Sequence, residues 1–262
     1  MAVRVTGRVG GGADEVVSFA LRALAEMRLP VKEEFVSQIL AWVQVWRSWS
    51  GRRVTGLESP REVGVRLIAD SFAFLYALAP GAGELCCDVG SGNGWPGLAL
   101  KVHEPSVRLV LLDAKRSSCE FLSAVVRAMD VKDVEVWQRR AEDVGRDRRT
   151  REVFSVVVSR AAGKLPVVLE IGAPLVRIGG KIVLWLGPES VIGMDGTGEG
   201  DKVRDSLDCL GLAGPEIRRY WLPEGEGERV LAVYRKERPS EARFPRTARA
   251  IKTRPLWRGS QV

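Results

Sequence analysis

Apolar positions along the chain follow two different periods. Up to residue 82 they recur at helical spacing: Val17, Ala20, Leu21 and Leu24, then Phe35, Ile39, Val43 and Trp46. Pro30 separates the two stripes. Ser59-Pro60-Arg61-Glu62 has the form of a helix start, with Ser59 as N-cap, Pro60 in the first turn and Glu62 closing a capping box. That helix is expected to reach about Leu78, before Pro80 to Gly83 ends it. Beyond residue 84 the pattern changes to short continuous apolar runs: Leu85 to Val89, Val107 to Leu112, Val134 to Trp137, Phe154 to Val158 and Lys181 to Leu186. Each reads as a buried strand. Helical stretches lie between them, at Leu98-Ala99-Leu100, Lys115 to Met129 and Leu165 to Val176, with another at Val203 to Leu210 after a glycine-rich loop at 193–200. Glu216 to Trp221 and Arg229 to Tyr234 read as a closing pair of strands joined through Pro223 to Gly227. Alternating strand and helix predicts an α/β fold, a doubly wound, Rossmann-like parallel sheet with right-handed crossovers. The expected division is a helical extension over 1–82, the sheet domain over 83–236 and a basic tail over 237–262.

Candidate chemistry gathers where such a sheet binds ligands, beyond the carboxyl ends of its strands. The first strand runs into Asp88-Val89-Gly90-Ser91-Gly92-Asn93-Gly94-Trp95-Pro96-Gly97. Glycines there let backbone approach a ligand, and a helix start offers free N–H donors. Asp113 ends the second strand, Ala141-Glu142 follow the third and Arg160 follows the fourth. A dinucleotide fingerprint needs Gly-x-Gly-x-x-Gly. Here the third glycine comes one residue early, at Gly94, and Trp95 holds the sixth position. Asp88 would repel a pyrophosphate and attract the sulfonium and ammonium groups of S-adenosylmethionine. Asp113 is placed to accept from ribose hydroxyls, and Glu142 to meet the adenine edge, unless Glu142 is a surface acid beside Arg139 and Arg140.

Charge adds a second theme. The chain carries +7, and nine bases against two acids from Arg235 to Val262 account for all of it. A neutral body with a basic tail suggests a polyanionic partner, the alternative being a solubilising tail. The 262 residues can bury a full core, and no stretch is long and apolar enough to span a bilayer. No apolar segment of signal-peptide form appears in residues 1–15, so a short disordered lead is expected. Four cysteines and one histidine, His103, form no C-x-x-C pair, so no metal is expected. Adjacent Cys86 and Cys87 suit packing in a reducing cytoplasm.

These motifs resemble those of the bacterial small-subunit ribosomal RNA guanine-N7 methyltransferases, over roughly residues 35–257. DVGSGNGWPGLAL resembles the family's DVGTGxGxPGxxL, and LLDAKRSSCEFL its LLDxxxKRxxFL. Arg-Ala-Glu at 140–142, Ser-Arg-Ala at 159–161, Asp70-Ser71 and FPRTARAIKTRPL at 244–256 are similar to further family elements. The resemblance implies a class I S-adenosylmethionine-dependent methyltransferase that acts on N7 of one guanine in 16S rRNA. Carried over residue by residue, it implies cofactor contacts at Gly90, Trp95, Asp113, Ala141, Glu142 and Arg160, beside Asp88 and Gly92 read from the loop itself. Leu67 and Leu186 stand where the family has a histidine and a lysine, and the tail lacks the family's glycine and middle proline.

Guanine N7 carries a lone pair and no proton, so methyl transfer needs no general base and can rest on alignment. Arg160 is the expected positioning residue, the alternative being an ion pair with Asp88 or Glu142. RNA contacts are expected from Arg61, Arg66, Arg243, Arg246, Arg249, Lys252 and Arg254, mainly to phosphates, with Trp46, Trp49 and Trp95 as stacking candidates, although its place on the helical stripe favours the core for Trp46. The expected partner is 16S rRNA or the small subunit, and a monomer is expected. Two alternatives stay open at this point: a small-molecule methyltransferase, and a cofactor-binding RNA protein without activity or with another target.

Overall fold

The structure is a computed structural model, and it describes residues 11–191 and 200–257. The expected N-terminal lead, nearly all of the glycine-rich loop at 193–200, and Arg258 lie outside the described residues. Two helices open the chain, α1 (Gly11–Glu26) and α2 (Phe35–Ser48). Next comes a short turn, α3 (Pro60–Glu62), with the expected capping box: Ser59 Oγ accepts from the Glu62 amide, and Glu62 accepts from the Ser59 amide. Beyond it the sequence reading fails in part. A single helix to Leu78 was expected; instead the chain widens into a π-helix at Val63–Ala69 and tightens into a 3-10 helix at Phe72–Tyr76. Tertiary contacts explain the change. A Cβ on Gly64 would stand 2.6 Å from the Val16 carbonyl oxygen, so this segment lies directly on α1. The Leu67 carbonyl accepts from Ser71 Oγ and from the distant Arg160, drawing the turn away from regular geometry.

The remaining elements alternate as the pattern predicts. They are β1 (Leu85–Val89), α4 (Gly97–His103), β2 (Arg108–Asp113), α5 (Arg116–Ala128), β3 (Val134–Gln138), α6 (Ala141–Arg146), β4 (Phe154–Ser159) and α7 (Leu165–Gly172). There follow β5 (Val176–Leu186), α8 (Gly200–Leu210), β6 (Leu212–Leu222), β7 (Gly227–Lys236) and α9 (Ala248–Thr253). The helix expected over Leu165 to Val176 stops at Gly172, because Pro174 cannot continue it, and Val176 instead opens a long strand beside Phe154.

One seven-stranded sheet results, in the order β3-β2-β1-β4-β5-β7-β6. Strands β1 to β5 are parallel, and β7 runs antiparallel to both β5 and β6. Strand order reverses between β1 and β4, so the switch point lies at the glycine loop.

Side-chain alternation in the strands builds two cores. Cys86, Leu109, Leu111, Val156 and Val158 face α1, α2, the 60–76 segment, α4 and α5. Cys87, Val110, Leu112, Val157 and Ile182 face α6, α7, α8 and the C-terminal segment. Each cysteine of the pair thus serves one core, and burial raises both thiol pKa values, that of Cys86 to about 12. Residues 11–76 form the helical layer on one face. On the other face Phe244, Ile251 and Trp257 are buried against the sheet domain. Arg151 donates to the carbonyls of Ser240, Glu241 and Phe244, which binds that segment down.

Candidate active site

A cavity of about 670 Å³ opens at the carboxyl edge of the sheet. The β1 loop, the ends of β2 and β3, the start of α6 and the β4 end line it, together with Leu67 and the 52–57 loop from the helical layer. Gly90, Gly92, Trp95, Asp113, Ala141, Glu142, Arg160 and Arg66 all lie on its wall. Asp88 does not, and neither do Arg243, Arg246, Arg249, Lys252 or Arg254.

The loop is held by its own hydrogen bonds. The amides of Gly90 and Ser91 donate to the Leu112 carbonyl, that of Gly92 to Asp113 Oδ2 and that of Gly94 to the Ser91 carbonyl. Gly90, Gly92 and Gly94 have φ values of 76°, 51° and 96°, which glycine adopts without strain. Gly97 begins α4, and its amide donates to Asp88 Oδ2 at 2.9 Å. These bonds correct the expectation of free donors at the helix start. The loop turns its N–H groups inward and presents no anion cradle to a pyrophosphate.

Asp88 differs from its expected role in the same way. It is buried beneath the loop, not on the cavity wall. Its Oδ1 is buried without a hydrogen-bond partner, and burial pushes its carboxyl up to about 7. A cation bound above the loop would favour its ionised form through space. Asp113 accepts from Gly92 N at 2.9 Å and Lys115 N at 2.8 Å, so its carboxylate is fixed at the wall with further lone pairs available. Ala141 is buried as the first residue of α6, and Glu142 is half-buried beside it.

Arg160 is held, but not by Asp88 or Glu142. It donates to Asp70 Oδ2 at 2.9 Å and to the Leu67 carbonyl at 3.3 Å. Asp70 Oδ1 accepts from Tyr220 at 2.5 Å, and the Asp70 carbonyl accepts from Trp185 Nε1 at 2.9 Å. One buried aspartate therefore joins the helical layer to the β4 end and β6 through its carboxylate, and to β5 through its carbonyl. Asp70 received no role from the sequence. Its signal in the sequence is the likeness of Asp70-Ser71 to a family element. Leu67, in the position of the family's histidine, lines the cavity, whereas Leu186 is buried in the opposite core.

Further expectations need correction. Trp95 is not exposed: its ring packs against Trp42 and Phe72. Trp49 meets Phe121 edge-on, whereas Trp46 packs against the core and stacks on Trp42, as its place on the helical stripe leads one to expect. Arg246 grips the fully buried Glu170 at 2.6 Å and 2.8 Å, so Nε and Nη2 of its guanidinium serve the fold. Arg243 pairs with Glu241 and covers the Phe244 ring. Arg66 pairs with Glu62 and Glu226, and Arg61 with Glu226. Arg249, Lys252 and Arg254 are exposed.

The inward-turned loop and the carboxylates at its edge fit a cationic, phosphate-free nucleoside such as S-adenosylmethionine and do not fit a dinucleotide. Comparison with known proteins agrees. The family model for GidB, described as rRNA small subunit methyltransferase G, matches residues 35–195. A Ribosomal RNA small subunit methyltransferase G from Symbiobacterium thermophilum is 31% identical over 242 residues, 89% of this chain and 95% of that protein. One of the same name from Carboxydothermus hydrogenoformans is 39% identical over 169 residues, 64% of this chain and 69% of that protein. Among solved structures, a 16S rRNA (adenine(1408)-N(1))-methyltransferase from Catenulisporales acidiphilia superposes with a TM-score of 0.48 at 15% identity, covering 74% of this chain and 98% of that one. The family match spans well over half of the chain, and with the loop, the sheet order and the fixed Asp113 it shows that this chain belongs to the rRNA small subunit methyltransferase G family.

Proposed function

We propose that the chain methylates N7 of a guanine in the 16S rRNA of the small ribosomal subunit, with S-adenosylmethionine as donor, acting as a monomer in the cytoplasm. The observation that carries the cofactor is the loop whose amides at Gly90, Ser91, Gly92, Gly94 and Gly97 turn to internal acceptors beside a fixed Asp113. When bound, the cofactor supplies an electrophilic methyl group on a cationic sulfur.

The chain's own residues supply placement. Asp113 accepts from the ribose hydroxyls, and Ala141 and Glu142 border the adenine edge. Asp88 lends negative charge from beneath the loop. Arg160, clamped by Asp70, holds the wall at the switch point against the helical layer. Among the described cavity-lining residues there is no histidine; His103 packs against Phe74 elsewhere. N7 of a neutral guanine has no proton to lose, so this acceptor asks for no general base and a site without a histidine suits it. Alignment can contribute several kcal/mol, about 7–11 at the extreme. Arg52 to Leu57, Arg66 and Leu67 of the helical layer form one wall of the site, which supports treating the helical extension and the sheet domain as one working unit.

Labelled S-adenosylmethionine incubated with small ribosomal subunits, followed by mapping of the modified nucleotide, tests the proposal. Label at N7 of one guanine is expected. Measurable cofactor binding with no incorporation would favour the non-catalytic alternative, and label on another atom or base would overturn the N7 assignment.

A further inference from the structure

The sequence assigned most RNA contacts to the C-terminal segment. That assignment leaves the charged rim of the cavity unexplained. Seven bases line the cavity: Lys115 and six arginines. Four of those arginines already have acidic partners. Arg53 bonds Glu58 and folds back onto the carbonyls of Thr55 and Gly56, Arg139 pairs with Asp147, and Arg66 pairs with Glu62 and Glu226. Arg160 is held by Asp70. Arg52, Lys115 and Arg140 remain. All three are exposed and have no ion-pair partner among the described residues.

These three cations come from separate elements: the loop between α2 and α3, the turn from β2 into α5, and the turn from β3 into α6. They border a single opening. Lys115 also uses only its backbone to brace Asp113, which leaves its ammonium free of that task. A base that enters a cavity brings its flanking phosphates to the mouth, where cations on several sides can meet them.

We infer that Arg52, Lys115 and Arg140 form the phosphate-binding rim that seats a single-stranded RNA segment over the cavity, in place of the C-terminal arginines. The inference rests on the proposed RNA substrate and names the surface that receives it. Partner charge, not sequence, is what these side chains read.

The test compares the full chain with two triple variants, R52Q/K115Q/R140Q and R249Q/K252Q/R254Q. Binding to deproteinised 16S rRNA and to small subunits is measured over a range of salt concentrations, and cofactor binding by calorimetry. Three lost contacts to a single strand lower the slope of log K against log salt by about 2. The rim variant is expected to show that drop while retaining cofactor binding; the C-terminal variant is expected to keep the wild-type slope. A wild-type slope in the rim variant, or the drop in the C-terminal variant alone, overturns the inference. So does subunit binding that survives nuclease digestion, which would point to a protein partner. Failure of the proposed reaction has a different signature: normal, salt-dependent rRNA binding with no methyl incorporation.

Discussion

Arg246→Ala separates a structural cation from an RNA-binding one. Glu170 lies on α7 with its side chain fully buried, and it accepts from the Arg246 amide, Nε and Nη2 at 3.0, 2.8 and 2.6 Å. Truncation leaves that carboxylate with the backbone amide alone. Breaking a buried pair by removing one partner costs about 3–5 kcal/mol. The Arg246 side chain is 26% exposed, so water can reach part of the gap and the low end applies, about 3 kcal/mol. For a chain of this size that is a fall in Tm of roughly 6–12 °C. Urea unfolding at pH 7 measures it. Adding Glu170→Gln to the Ala variant should recover part of the loss, because a neutral amide is cheaper to leave in that site. The folded Arg246→Ala protein should bind rRNA with the wild-type salt slope. A stability loss below about 1 kcal/mol, together with a reduced salt slope, would refute the reasoning and return Arg246 to the RNA.

Three further outcomes are expected. Burial raises the Asp88 carboxyl to about 7 in the fold, above its value in the unfolded chain. The stabilisation from protonated Asp88 is therefore complete below the ordinary carboxylate range, lost as pH rises to about 7, and constant above; Asp88→Asn should remove this slope from urea midpoints taken at several pH values, and an unchanged slope contradicts the assignment. A Cβ at Gly97 would stand 2.6 Å from Asp88 Cβ and 2.9 Å from Leu111 Cδ2, so Gly97→Ala should cost about 1–3 kcal/mol in unfolding experiments and weaken cofactor binding by calorimetry. Arg160→Ala leaves the Asp70 carboxylate with Tyr220 as its remaining partner among the described residues and should cost about 3 kcal/mol while lowering both cofactor affinity and methylation. Wild-type values for both activities would remove Arg160 from the site.

Local signals were legible where they depend on near neighbours. The Ser59–Glu62 capping box, the strand order along the chain and the glycine loop rest on spacings of a few residues. Asp113 and Glu142 could be placed because strand ends deliver side chains to one edge of such a sheet. The helix through Leu78 was misread because Gly64 and Leu67 answer to α1 and Arg160, not to their own turn. The burial of Trp95 is not legible in the sequence, because a bulky residue after a glycine loop carries no mark that Trp42 and Phe72 cover it.

By itself the sequence determined the class of fold, the kind of cofactor loop and the family, since periodicity and motif spacing are properties of the chain. Only the tertiary structure decided which charges are free. Asp70 meets Arg160 across 90 residues and Tyr220 across 150, and Arg246 finds Glu170 across 76. Whether a cation is spent on a buried carboxylate or left facing solvent depends on which distant segments fold together. The same holds for the loop. Its glycines could be read from the chain, but the inward turn of its amides depends on Leu112, Asp113 and Asp88 being brought alongside by the sheet.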